Sequence, residues 1–278
     1  MILKVLVDNN TLIDRYFLGE PGVSYYIEEN GIKLLFDAGY SDVFLKNARK
    51  MNIDLGAINS IVLSHGHNDH TGGLFYLIQY YTELFMEHGI YNKPQLIAHP
   101  VAFKNKWEGQ VDIGSLINED KLRQHFDLIL SKSELWLTDK LVFLGEIERK
   151  NDFENQRPVG TIRCEKGDVP DFVLDDSALV YKSADGLVII TGCSHAGICN
   201  IIETAKKVCN DTRIADIIGG FHLLNPSQDL LDKTCEYMKK NNVTHIAPCH
   251  CTDLSSKVEL AKNFSIQEIG VGFVREYK

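Results

Sequence analysis

Four short apolar runs in this chain each lead into histidine, and that recurrence limits what it can fold into. SIVLS (residues 60–64) is followed by His65 and His67, and LVIITGCS (187–194) by His195. IADIIGGF (214–221) is followed by His222, and THIAPC (244–249) by His250. Short apolar runs bounded by Gly, Pro or Ser suit buried strands. In open α/β sheets, reacting groups collect where strands end and loops leave the rigid frame. The chain is therefore expected to line one rim with His65, His67, Asp69, His70, His195, His222 and His250.

The rest of the pattern agrees with a layered α/β fold of mixed α+β character. Residues 2–8, 23–28 and 32–37 alternate as strands, the last two joined by a turn at Glu29-Asn30-Gly31. Residues 42–51 suit a short helix. After Gly73, apolar residues recur at three- and four-residue steps (Leu74, Leu77, Ile78, Tyr81, Leu84, Phe85), which predicts a buried helical stripe stopping at Gly89. Further strands are expected over 126–147, and a hairpin over 172–192 turning at Ser183–Gly186. Helices at 197–209, 227–241 and 254–263 each precede a strand, at 214–218, 243–247 and 266–274. Strands mixed with helices throughout suggest helices covering sheet faces. No linker or repeat divides residues 1–278, so one domain is expected.

Composition excludes several classes. A net charge of −9 argues against sequence-independent binding to nucleic acid, which needs Lys and Arg to neutralise phosphates. No apolar run reaches the roughly 18–20 residues of a membrane span. The start, MILKVLVDNN, has no basic segment followed by a long apolar stretch, so a cytoplasmic protein is expected. The seven cysteines show no disulfide or zinc-ribbon spacing. Reduced, mostly buried thiols are expected. Cys193 and Cys249 stand apart, each within two residues of a rim histidine.

The densest stretch is SHGHNDHTGG, residues 64–73. A metal site needs neutral imidazoles and carboxylates converging on a point. His65 and His67, two apart in an extended turn, can face one ion, and Asp69 and His70 can leave the same loop toward a second. Gly66, Gly72 and Gly73 permit close backbone approach. Nitrogen and oxygen donors suggest one or two divalent ions, with zinc first and manganese or iron as alternatives. The other histidines read differently: His99 as a packing or loop residue, His88 and His125 as solvated, His245 as a strand residue.

At this point the residues resemble a family. HGHNDH matches the H-x-H-x-D-H motif of the metallo-β-lactamase superfamily, with TGG following as in many members. Asp37, in LLFDAG, resembles the aspartate that ends an early strand there and supports the metal loop. GEIERKNDFE, DDSALVY, GLVIITGCSHAGICN, IIGGFHL and APCHCT are together similar to the dihydropterin/ribofuranosyl-aminobenzene-phosphate synthase subgroup. The resemblance implies an αββα sandwich with a two-metal site at the sheet edge. It implies His65, His67, Asp69, His70, His195 and His250 as ligands. Many hydrolases of the superfamily carry Gly-Asp after the later strand, with the Asp bridging two metals. Here that place reads TGCSH, so either Cys193 stands there or Asp176 (or Asp175) supplies a carboxylate.

The expected activity follows from that resemblance. The subgroup joins an activated dihydropterin diphosphate to an aryl ribofuranoside phosphate, so the expected partner is a phosphorylated small molecule. The alternative is a hydrolase of a phosphoester or cyclic substrate using metal-bound hydroxide, since bound metal lowers the pKa of water toward about 7. A sensor that keeps the metal without turnover is the non-enzymatic alternative. Asp69 and His222 are the candidate catalytic residues, His222 as an acid or phosphate contact. Arg149, Arg157 and Lys166 lie in the polar middle segment where a phosphate could be met, and each by itself reads first as a solvated surface charge. Oligomeric state is not encoded in any of these features.

Overall fold

The computed structural model describes residues 1–90 and 92–278. The first half contains β1 (Ile2–Val7), β2 (Ser24–Glu29), β3 (Ile32–Phe36), α1 (Val43–Lys50), β4 (Ser60–Val62), α2 (Asn68–Thr71), α3 (Gly73–His88) and β5 (Gln95–Ala98). The middle carries β6 (Lys106–Glu108), β7 (Val111–Asp112), α4 (Glu119–His125), β8 (Asp127–Leu130), β9 (Leu135–Trp136), β10 (Leu141–Phe143), β11 (Gly160–Ile162) and β12 (Val169–Asp171). The remainder is β13 (Ala178–Ser183), β14 (Gly186–Thr191), α5 (Ile198–Cys209), β15 (Ile214–Gly220), α6 (Gln228–Lys240), β16 (His245–Cys249), α7 (Leu254–Ala261), β17 (Ser265–Ile266) and β18 (Val274–Glu276).

Two seven-stranded sheets result, ordered β18-β1-β2-β3-β4-β5-β8 and β17-β16-β15-β14-β13-β10-β9. Each is antiparallel on one side and parallel on the other: β3, β4, β5 and β8 run parallel in the first, β14 to β17 in the second. The alternation within β14 shows how the layers form. Val188 and Ile190 join a core between the two sheets with Phe36, Val62 and Leu179, whereas Leu187 and Ile189 face Ile198, Ile202 and Met238 of the covering helices. A strand buried on both faces is a continuous apolar run, as here. A third core packs α1, α3 and α4 on the first sheet through Phe44, Leu77 and Leu122. The architecture is thus the expected αββα sandwich.

Two expectations need correction. The run 266–274 is not one strand: β17 ends the second sheet, while β18 returns to pair with β1 of the first. Gly270 and Gly272 interrupt it, and Gly272 sits at φ 89°, outside the strand region. Phe85, assigned to the buried stripe, is 52% exposed. The sixteen-residue α3 spans about 24 Å, whereas β4 and β5 beneath it have three and four residues. His245, read as a strand residue, opens β16 with its side chain exposed. A small sheet, β12-β11-β6-β7, was not anticipated; its strands are only two or three residues long. Among the described residues, no helix is long and apolar enough to cross a membrane.

The outer core carries a direct test. Ile189 is fully buried, so Ile189→Ala should lower unfolding free energy by about 2–5 kcal/mol. Urea denaturation with an unchanged slope checks this.

Candidate metal centre

Both sheets deliver the C-terminal ends of parallel strands to the same edge. His65 follows β4, Cys193 and His195 follow β14, His222 follows β15, and His250 and Cys251 follow β16. Sharp turns at these strand ends use left-handed backbone: Asp37 (φ 58°), Ser194 (φ 63°), His222 (φ 52°) and His250 (φ 48°). Such conformations cost of order 1–3 kcal/mol each and persist where surrounding structure enforces them.

Ring centroids show the convergence. His65 lies 4.5 Å from His67, 4.2 Å from His70 and 4.8 Å from His195. His67 also lies 4.8 Å from His195, and His70 lies 5.1 Å from His250. Donor atoms fall into overlapping groups that could each hold an ion: His65, His67 and His195; His65, His70 and Cys193; Asp69, His70 and His250; Cys193, His250 and Cys251; Cys193, His195 and His222. Cys193 Sγ stands 3.3 Å from His70 Nε2 and 3.2 Å from His250 Nε2. Asp69 Oδ2 is 3.4 Å from His250 Nε2 and 3.6 Å from His70 Nε2.

The donor chemistry fits divalent metal. Burial holds the His65 imidazole well below its ordinary pKa, and its histidine neighbours add to this. Burial, then Lys106, lowers His67 to about 4. Burial and His222 likewise lower His195. Neutral rings with available nitrogens are what a metal requires. Moreover, His67 Nε2 and both ring nitrogens of His195 are buried without a hydrogen-bond partner among the described residues. Buried polar atoms are rarely left so unless an unseen ion or water meets them. At His70 burial pulls the pKa down, but Asp69 and Asp37 outweigh it and hold the ring at about 9. That reports an excess of negative charge suited to a cation.

Hydrogen bonds aim the rings. Asp37 accepts from the Ser64 amide at 2.7 Å, the Ser64 hydroxyl at 2.7 Å and His70 Nδ1 at 2.7 Å. Ser64 Oγ also lies 2.9 Å from His65 Nδ1. His250 Nδ1 lies 2.8 Å from Asn9 Oδ1. Ring partners of this kind fix the tautomer and orientation of ligating histidines.

Not every sequence candidate joins the clusters. Asp176 belongs to none of the groups above: its Oδ2 accepts from the Ala196 amide at 2.9 Å, while Oδ1 is buried and unpartnered among the described residues. Burial lifts its carboxyl to about 7. Asp175 holds the Gly66 amide and Lys106. Cys249 points between the sheets to the Tyr25 hydroxyl at 3.2 Å. Cys251, two residues later, turns the other way and joins the cluster. The adjacency Cys-His-Cys at 249–251 was the available signal for it; β16 ends at Cys249, and the left-handed turn at His250 (φ 48°) sends Cys251 to the site. His222 is exposed, with its ring 4.1 Å from His195. His99 is buried, with Nε2 2.9 Å from Glu146 Oε2. Arg149 staples the chain by donating to the carbonyls of Val173 and Phe172, and Lys166 is exposed. Arg157 lines a cavity beside His195.

This fold and this rim of histidines define a class. The chain belongs to the metallo-β-lactamase superfamily, whose family profile matches residues 18–89. It is 32% identical over 267 residues to the 7,8-dihydropterin-6-methyl-4-(β-D-ribofuranosyl)-aminobenzene-5'-phosphate synthase of Methanocaldococcus jannaschii, covering 93% of this chain and 88% of that protein. An uncharacterized protein of the same organism, MJ0448, is 32% identical over 276 residues, covering 97% of this chain and 98% of its own. The solved structure of Tm1679, described as a metal-dependent hydrolase of the β-lactamase superfamily, aligns with a TM-score of 0.82 at 29% identity, over 99% of this chain and 98% of that one.

Two substitutions test the centre. His67→Ala should lower metal content by more than the roughly 10–100-fold loss in affinity typical of outer hydrogen-bond partners, read by plasma emission spectrometry. At Gly66 a Cβ would lie 1.8 Å from the Ala102 carbonyl oxygen. Gly66→Ala should therefore displace the loop, cost about 1–3 kcal/mol in stability, and reduce bound metal as well.

Proposed function

We propose that this chain is a metal-dependent enzyme acting on a phosphorylated small molecule by group transfer, as its resemblance to the synthase implies. The observation that carries this reading is a cavity of about 540 Å³ bordered by His195 and His222. That volume suits a small organic ligand. Phe153, Phe221 and Leu223 offer apolar surface for a ring system, and Arg157 offers a cationic group for a phosphate, whereas Lys233 is paired with Asp229 at 2.8 Å.

In this reading His65, His67 and His195 hold one divalent ion, and Asp69, His70, Cys193 and His250 hold a second. A bound ion would supply a Lewis acid that neutralises charge growing on a phosphoryl or diphosphate oxygen. The chain's own residues do the rest. Asp37 and Ser64 keep the rings aimed, and the apolar side of the cavity orients the substrate ring. His222, at the cavity wall and exposed, is placed to donate a proton to a leaving group. The mixture of thiol, carboxylate and imidazole donors supports zinc or iron over a hard-ion site. Asp176, outside the donor clusters, supports the His195 loop through the Ala196 amide rather than acting as a ligand.

A second reading, metal-dependent hydrolysis, is favoured by the likeness to Tm1679, a metal-dependent hydrolase; a phosphoester is the substrate class it would take here. The two separate in one experiment. The metal-loaded protein is incubated with a dihydropterin diphosphate plus an aryl ribofuranoside phosphate and, in parallel, with a bis-aryl phosphodiester. Coupled product in the first mixture alone is the expected outcome. Turnover confined to the diester would replace transfer by hydrolysis. His222→Ala should lower kcat by about 10²–10⁴-fold, the range of general acid–base catalysis, with substrate affinity largely retained.

A further inference from the structure

Lys106 is fully buried, with its ammonium 2.7 Å from Asp175 Oδ1 and 2.9 Å from Asp171 Oδ2. Lysine is almost never buried completely unless paired, and two partners on a single ammonium leave one carboxylate charge in excess. The donor groups described above include none of these three residues. Their arrangement nonetheless reaches it. The second oxygen of Asp175, Oδ2, accepts from the Gly66 amide at 2.7 Å. Gly66 lies between His65 and His67, so its amide sits at the centre of the two-histidine turn.

Two further contacts brace the same loop, one of them relayed from Lys106 through Ile113. The carbonyl of Lys106 accepts from the Ile113 amide at 3.0 Å, and the Ile113 carbonyl accepts from the Asn68 amide at 2.8 Å. The Ser64 carbonyl accepts from the Ser177 amide at 2.9 Å, two residues beyond Asp175. The small sheet that carries Lys106 and Asp171 thus grips the histidine loop through backbone and through charge.

We propose that Lys106 is a positioning residue for the metal loop: clamped by Asp171, it fixes Asp175, which in turn holds the Gly66 amide and the relative placement of His65 and His67. The inference rests on the reading of His65 and His67 as metal ligands. It also assigns Asp175 a supporting role in place of the ligand role considered from sequence. The sign of the effect distinguishes positioning from simple charge. A cation near a metal site repels the metal, so loss of Lys106 on Coulombic grounds alone would tighten metal binding. Loss of a positioning group weakens it.

The test measures zinc affinity by competition with a chromogenic chelator for the wild-type chain, Lys106→Met, Asp175→Asn and the double variant. Circular dichroism and melting of the metal-free forms run alongside. Asp175→Asn leaves one acceptor oxygen for two donors and tests the shared path, but its lost negative charge would itself weaken zinc binding, so Lys106→Gln carries the sign test should Lys106→Met not fold. Each single variant is expected to lose about 10–100-fold in zinc affinity. The double variant should lose little more than the larger single loss, because both act on one path. Folded single variants that bind zinc as tightly as wild type, or more tightly, overturn the proposal, as does full additivity in the double variant. A lowered melting temperature with unchanged zinc affinity reduces Lys106 to a structural residue and equally overturns it. Wild-type protein that binds no zinc would sink the metal reading itself, and the inference with it.

Discussion

The Asp37 carboxylate is the contact on which the site depends. It ends β3 of the first sheet, is fully buried, and is met by three donors from the loop after β4. Two of those donors belong to Ser64, whose hydroxyl also touches His65, and the third is the ring of His70. One carboxylate thereby sets the direction of two candidate ligands. A buried group of this kind is costly to leave unpaired, at about 1–3 kcal/mol for each lost partner and more for a charge. The second sheet closes on the same spot. A Cβ at Gly192 would lie 2.1 Å from Ser64 Oγ and 2.8 Å from Asp37 Oδ2. Only glycine lets the end of β14 approach closely enough to bring Cys193 and His195 beside the first-sheet histidines.

The location of the site follows from the way the sheets are built. Parallel strands send their C-terminal ends to one edge, and both sheets have parallel halves. The frame beneath that edge is rigid because its strands are buried on both faces. Rigidity matters here because several imidazoles crowd within 5 Å or so of one another. The unpartnered nitrogens of His67 and His195 express the same point. The protein keeps buried polar atoms where an ion or a water would satisfy them.

Much of this was legible in the primary structure. The H-x-H-x-D-H spacing, the apolar runs ending in histidine and the hairpin turning at Ser183–Gly186 are local signals, and the strands at β13 and β14 and the helix at α5 appear where the pattern indicates. Other features were not. The strands β6, β7, β11 and β12 are too short to show periodicity, and they exist because distant segments pair. The split of 266–274 between two sheets depends on β1, which is almost the whole chain away. Cys249 and Cys251 flank the same histidine, and only the end of β16 at Cys249 and the left-handed turn at His250 separate them.

The sequence by itself determined the donor types, their positions at strand ends and the family, because these rest on residue identity and short spacing. The tertiary structure alone decided which donors meet. It brought Cys193 to the place between His70 and His250, left Asp176 supporting the Ala196 amide, and set Lys106 beneath the Gly66 turn. Those outcomes depend on the packing of two sheets and a small third one. Their register is fixed by long-range burial and hydrogen bonding, and no local pattern records it.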